Sequence, residues 1–180
     1  MILNVNPKGE EKGMNTSARR QNDLANPLNF LLRVPVPWVF VLAYLVGAGL
    51  QHLLPVTVVS PKAVQVGMLG GVVLFAAGAL FASWSLIIFQ KARTTTTPGE
   101  VSAVLVTWGP YRFTRNPMYV SLILAYLGEA GILTQVWPLF VLPFTVAYVN
   151  WIVIPVEEGR LKEVFQDSYE HYRARVRRWM

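Results

Sequence analysis

VQVGMLGGVVLFAAGALFASWSLIIF, positions 64–89, contains no charged residue. As a helix it would run about 39 Å, longer than the roughly 30 Å hydrocarbon core of a bilayer. It therefore reads as a membrane span. Gly67 and Gly71 stand four residues apart in it, a spacing that lets two membrane helices approach closely. The run GMLGG within it reads as that packing surface and not as a nucleotide-binding loop, because it sits inside an apolar span.

Three further apolar stretches flank this one, at about Pro35–Leu54, Met118–Leu133 and Trp137–Val156. The third of the four spans is short and is joined to the fourth by a few residues, which predicts a tight helical hairpin. The chain is 53% hydrophobic and 14% charged, against about a quarter charged in soluble domains. The expected fold is an all-α integral membrane protein. It has about four transmembrane helices, the last two a helical hairpin, and a cytosolic amphipathic C-terminal helix. One membrane domain is expected over 34–180, with a loop and motif at 90–117 and the C-terminal helix at 157–180. Residues 1–33 read as a flexible cytosolic tail, and Met14 within it is an alternative start.

Charge sets the orientation. The basic residues of the 180-residue chain cluster in the N-terminal region, between Lys91 and Arg115, and after Arg160. The connection between the first two spans holds only Lys62, and that between the last two holds no Lys or Arg. The positive-inside rule then places both termini and the middle loop in the cytoplasm. The net charge of +6 is explained by this topology, so no nucleic-acid partner is expected. There is no cysteine, and His52 and His171 lie far apart, so no metal site is expected.

Three cytosolic segments are candidates for chemistry. The first, KARTTTTPGEVSAVLVTWGPYRF from Lys91, has non-helical composition, and VSAVLV within it reads as a short strand, an apolar flap or a connector. The second is GPYRFTRNPMY, positions 109–119. Gly109-Pro110 makes a turn, Asn116 is held out of α conformation by Pro117, and Pro117 suits the first turn of the next helix. Tyr111, Arg112, Arg115 and Tyr119 then gather at the mouth of the third span. The third segment, EEGRLKEVFQDSYEHYRARVRRWM, opens with Glu157 and Glu158 and repeats apolar residues at helical spacing up to Trp179. Interfacial anchoring and helix-dipole compensation explain single residues here. Two carboxylates facing two arginines also suit a ligand with both charges and hydroxyls.

The second and third segments, in this order and one membrane hairpin apart, resemble the isoprenylcysteine carboxyl methyltransferase and phospholipid methyltransferase superfamily of small integral-membrane methyltransferases. The resemblance runs from about Lys91 to Trp179. It implies S-adenosylmethionine as methyl donor, bound on the cytosolic side between the two motifs. It also implies that Arg115, Asn116, Pro117 and Tyr119 line the cofactor pocket with Glu157 and Glu158, and Tyr111 joins this set. Arg112, within the motif block, is a catalytic candidate for holding an anionic group. Isoprenylcysteine methyltransferases usually carry histidine where this chain has Asn116. Asparagine can orient a cofactor and cannot act as a general base near neutrality.

The acceptor implied is lipophilic and enters from the bilayer: the carboxylate of a prenylcysteine-like molecule, or a lipid amine. Glu129, about 16 Å into the third span, is a second catalytic candidate because an acid at that depth is functional by default. The competing readings are an NADPH-dependent membrane reductase of sterol-reductase type and a non-catalytic lipid-binding membrane protein. The sequence sets no oligomeric state.

Overall fold

A computed structural model of the chain describes residues 35–58, 60–91 and 104–180. The tail expected over 1–33, the threonines Thr94 to Thr97 with Pro98 and Gly99, and the first part of VSAVLV lie outside the described residues. The described residues are helical apart from short connections, and they contain no strand. Val104–Thr107 is irregular, and Val106 is buried against Tyr111, Tyr169 and Tyr172. The described part of VSAVLV is not a strand.

Helix α1 (Val36–Leu53) buries Val36, Phe40, Tyr44 and Gly47, a face repeating at helical spacing. Helix α2 (Pro61–Lys91) begins on a proline, whose missing N–H costs nothing in the first turn. It buries only Gly71, Gly78 and Ser85. Its remaining surface is apolar and open, with Leu80 72% and Val66 69% exposed. Such a surface suits lipid and not water. Helix α3 (Pro117–Ile132) is followed by a turn and by helix α4 (Trp137–Tyr148). A single π-helical turn, Val149–Val153, carries the chain on without interruption into α5 (Ile154–Arg175).

Among the described residues, three helical stretches are long and apolar enough to cross a bilayer: α1, α2, and the continuous run Trp137–Arg175. The hairpin expected of the last two spans is present as α3 and α4. At 16 residues α3 is apolar and short, about 24 Å of helix.

Small residues set the packing of α2 on α3. A Cβ on Gly71 would fall 2.6 Å from the Ile132 backbone nitrogen, and one on Gly131 would fall 2.8 Å from the Gly67 carbonyl oxygen. The glycine pair picked out in the sequence is thus a backbone-to-backbone seam. Its partners on α3 are Gly128 and Gly131. A core of Phe40, Tyr44, Tyr126, Leu142, Val149 and Val153 joins α1, α3 and α4. A second, smaller core joins Val106 and Tyr111 to Tyr169 and Tyr172 of α5.

Two features depart from the expected C-terminal helix over 157–180. The backbone leaves helical geometry at Gln166, with φ 44° and ψ −120°, and the helix stops at Arg175. Val176 is extended, with φ −118° and ψ 130°. Trp179 is therefore not on a helical face. It lies in a short segment that turns back toward α3.

Candidate functional site

The site is built where the 109–116 segment meets the start of α5. Gly109 has φ 64°, a left-handed conformation that favours glycine, and a Cβ there would lie 3.1 Å from Ile88 Cγ1. It opens one turn of 3₁₀ helix, Gly109–Arg112. Asn116 ends the segment at φ −125° and ψ 55°, outside the helical region, and Pro117 begins α3. The backbone of residues 113–116 is therefore fixed from both ends.

Two side chains of the second motif meet the two glutamates. Tyr119 donates its phenol to Glu157 Oε1 at 2.7 Å. Arg115 Nη2 pairs with Glu158 Oε1 at 2.9 Å, and these two side chains are only 10% and 14% exposed. The Tyr111 ring is buried, and burial pushes its phenol pKa up, with Tyr172 and Glu157 adding to the shift. Glu157 lies just beyond the apolar run of α4. Its carboxyl is held above the usual range by burial, against the Tyr119 hydrogen bond and Arg160, which pull it down.

Glu157 and Glu158 are not equivalent. Glu158 is fully engaged: Arg178 Nη2 reaches Oε2 at 2.7 Å and Arg178 Nε reaches Oε1 at 3.2 Å, beside the Arg115 contact. Glu157 keeps capacity for further donors, because a carboxylate accepts about four hydrogen bonds. Arg115 has spare capacity of the opposite kind. Its Nε and Nη1 are buried and have no hydrogen-bond partner among the described residues. Buried guanidinium N–H groups left unpaired are costly, and these two lie on either side of the engaged Nη2, each suited to a separate acceptor atom.

Asn116 does not cap α3 with its side chain. Its Nδ2 donates instead to the Arg178 carbonyl at 3.1 Å. Thr114 Oγ1 donates to the same carbonyl at 2.9 Å, and the Arg115 N–H donates to the Arg177 carbonyl at 2.9 Å. Four residues of this network, Thr114, Asn150, Arg178 and Trp179, were not candidates from sequence. The signal for Asn150 was its position, an amide within an apolar span, where polar groups are expensive. Arg178 was read only as a topological charge, because nothing local separates it from Arg175 and Arg177.

Arg112 and Glu129 lie apart from this cluster. Arg112 is exposed and lines an open cleft of about 690 Å³ with Thr107, Phe165, His171 and Arg175, among others. Glu129 is exposed in the last turn of α3, about 20 Å along the helix from Asn116. The short third span carries it to the opposite end of the bundle from Glu157.

The ionisation of Glu157 has a measurable consequence. Its pKa in the fold is raised, because burial disfavours the charged form relative to the unfolded chain. The stability this contributes is complete below the unfolded carboxyl pKa and is lost as pH rises through the folded value. Glu157→Gln keeps an acceptor for Tyr119 and removes the titration. Thermal unfolding should show the variant more stable than wild type at pH 8, with the difference vanishing in acid. A variant less stable than wild type at pH 8 would show that ionised Glu157 is stabilised in the fold.

A family model described as phospholipid methyltransferase matches residues 66–168, more than half of the chain. The matched region includes the glycine seam, Arg115, Tyr119 and both glutamates. No curated protein and no solved structure matches the chain.

Proposed function

The chain belongs to the phospholipid methyltransferase family, and from that premise we propose that this integral membrane methyltransferase takes its methyl group from S-adenosylmethionine and passes it to a lipophilic acceptor. The observation that carries the reading is the pair of buried Arg115 donors, Nε and Nη1, that have no partner among the described residues. The donor set fits the cofactor. One of the free Arg115 donors, Nε or Nη1, suits its carboxylate, and the free capacity of Glu157 suits ribose hydroxyls, as carboxylates do in dinucleotide sites. When bound, the cofactor supplies an electrophilic methyl: the sulfur–methyl bond breaks as the acceptor–methyl bond forms, and the sulfonium becomes a neutral thioether.

The chain's own residues bind, orient and exclude water. Arg115 fixes the anionic end of the ligand, and the Tyr119–Glu157 pair fixes a polar edge at a set distance from it. The buried rings of Tyr111, Tyr169 and Tyr172 keep the floor of the site dry. Their faces also tolerate a neighbouring positive charge. Asn116 holds backbone and abstracts no proton, so the acceptor must arrive as a carboxylate or a free amine. The apolar, open surface of α2 suits contact with an apolar acceptor in the bilayer. The clustering of basic residues supports a site on the cytosolic side.

The test is a titration of purified protein with S-adenosylmethionine and, separately, with NADPH, followed by incubation with methyl-labelled cofactor and a lipid extract. Binding of S-adenosylmethionine alone and label in a lipid product are expected. NADPH binding without S-adenosylmethionine binding would sink the proposal.

A further inference from the structure

The segment that follows α5 makes more polar contacts with the site than any sequence motif requires. Its backbone accepts hydrogen bonds from Thr114, Arg115 and Asn116. Its Arg178 side chain reaches Glu158 with Nε and Nη2, and the Asn150 carbonyl and Oδ1 with Nη1 at 3.3 and 3.4 Å. Trp179 Nε1 donates to the same Asn150 Oδ1 at 2.9 Å. Asn150 lies in the π-helical turn, where the widened backbone loosens the usual helical pairing of carbonyls.

We infer that Arg178 is a positioning residue of the cofactor site: anchored on Asn150, it holds the Glu158 carboxylate so that Arg115 keeps Nε and Nη1 free for a ligand. An arginine and a carboxylate left to themselves favour a two-pronged pairing. Such a pairing between Arg115 and Glu158 would consume a second donor of Arg115. Arg178 prevents it by taking Glu158 Oε2 and sharing Oε1, which leaves Arg115 one contact through Nη2. The chain of contacts from Asn150 through Arg178 and Glu158 thus ends on the two unpaired donors of Arg115. The inference rests on the reading of Arg115 as the group that receives the cofactor's carboxylate.

The experiment is calorimetric titration of full-length protein, purified in detergent, with S-adenosylmethionine, paired with thermal unfolding. Arg178→Ala is expected to bind about tenfold more weakly, the size of one charge-assisted hydrogen bond. Asn150→Ala is expected to weaken binding in the same direction. The double variant should bind no more weakly than Arg178→Ala alone, because both residues act through one carboxylate. Arg173→Ala, which removes an equal charge from the exposed face of α5, should bind as wild type does. If Arg178→Ala does not fold, Arg178→Lys replaces it. Lysine keeps the charge, lacks the fork, and should show the same loss.

Wild-type affinity in Arg178→Ala or in its lysine replacement overturns the inference and leaves the proposed function standing. Additive losses accompanied by a fall in unfolding temperature also overturn it, since they indicate a merely structural tie. Absence of binding to the wild-type protein overturns the proposed function, and this inference with it.

Discussion

Arg115→Ala will lose about 100-fold or more in affinity for S-adenosylmethionine and will still fold. The expected loss is the energy of charge-assisted hydrogen bonds from Arg115 in a buried site, about 3 kcal/mol. The fold survives for a reason visible in the geometry. Glu158 keeps both Arg178 contacts when Arg115 is removed, so no carboxylate is left buried and unpaired. The alanine variant also removes two buried donors that have no partner among the described residues. Calorimetric titration measures the first effect, and circular dichroism on heating measures the second. An Arg115→Ala protein with wild-type affinity removes the anchor on which the functional proposal stands.

Gly128→Ala will lower the unfolding temperature sharply, although alanine is the better helix former by about 1 kcal/mol. Its Cβ would fall 2.5 Å from the Phe75 nitrogen and 2.7 Å from the Phe75 Cα. Both are backbone atoms, so no rotamer change relieves the contact and the two helices must separate. Overpacking of this kind costs about 1–3 kcal/mol, and more where backbone must move. Gly70→Ala is the matching control. It lies on α2, nothing stands within 4 Å of its Cβ, and the helix-propensity term should act alone to stabilise it. Equal unfolding temperatures for the two variants would mean that α2 and α3 are not held by this seam.

The spans were legible because apolar length is a local property. The stretch expected at Trp137–Val156 begins where α4 begins, and the α3 limits differ from expectation by one residue at each end. Pro117 was legible for the same reason: proline fixes its own φ and restricts its neighbour wherever it occurs. The division of labour between Glu157 and Glu158 was not legible. Adjacent residues on a helix point about 100° apart, and which of them meets Arg178 depends on a segment that returns from 20 residues further on. The break at Gln166 was hidden by an apolar periodicity that continues through it. Glu129 was read by its depth, and a short helix converts depth into exposure at the far end.

The π-helical turn at Val149–Val153 has a consequence for azimuth along the last continuous helix. One such turn takes up about one residue more than an α-turn, which shifts the phase of everything beyond it by roughly 100°. The lipid-facing stripe of α4 therefore does not extrapolate onto α5. A single length of helix presents an apolar side to the bilayer before the turn and directs Glu157 and Glu158 inward after it. Substitutions within the turn leave that phase intact. Removing one residue from it would restore a regular α-helix and leave the two glutamates at about their present azimuth.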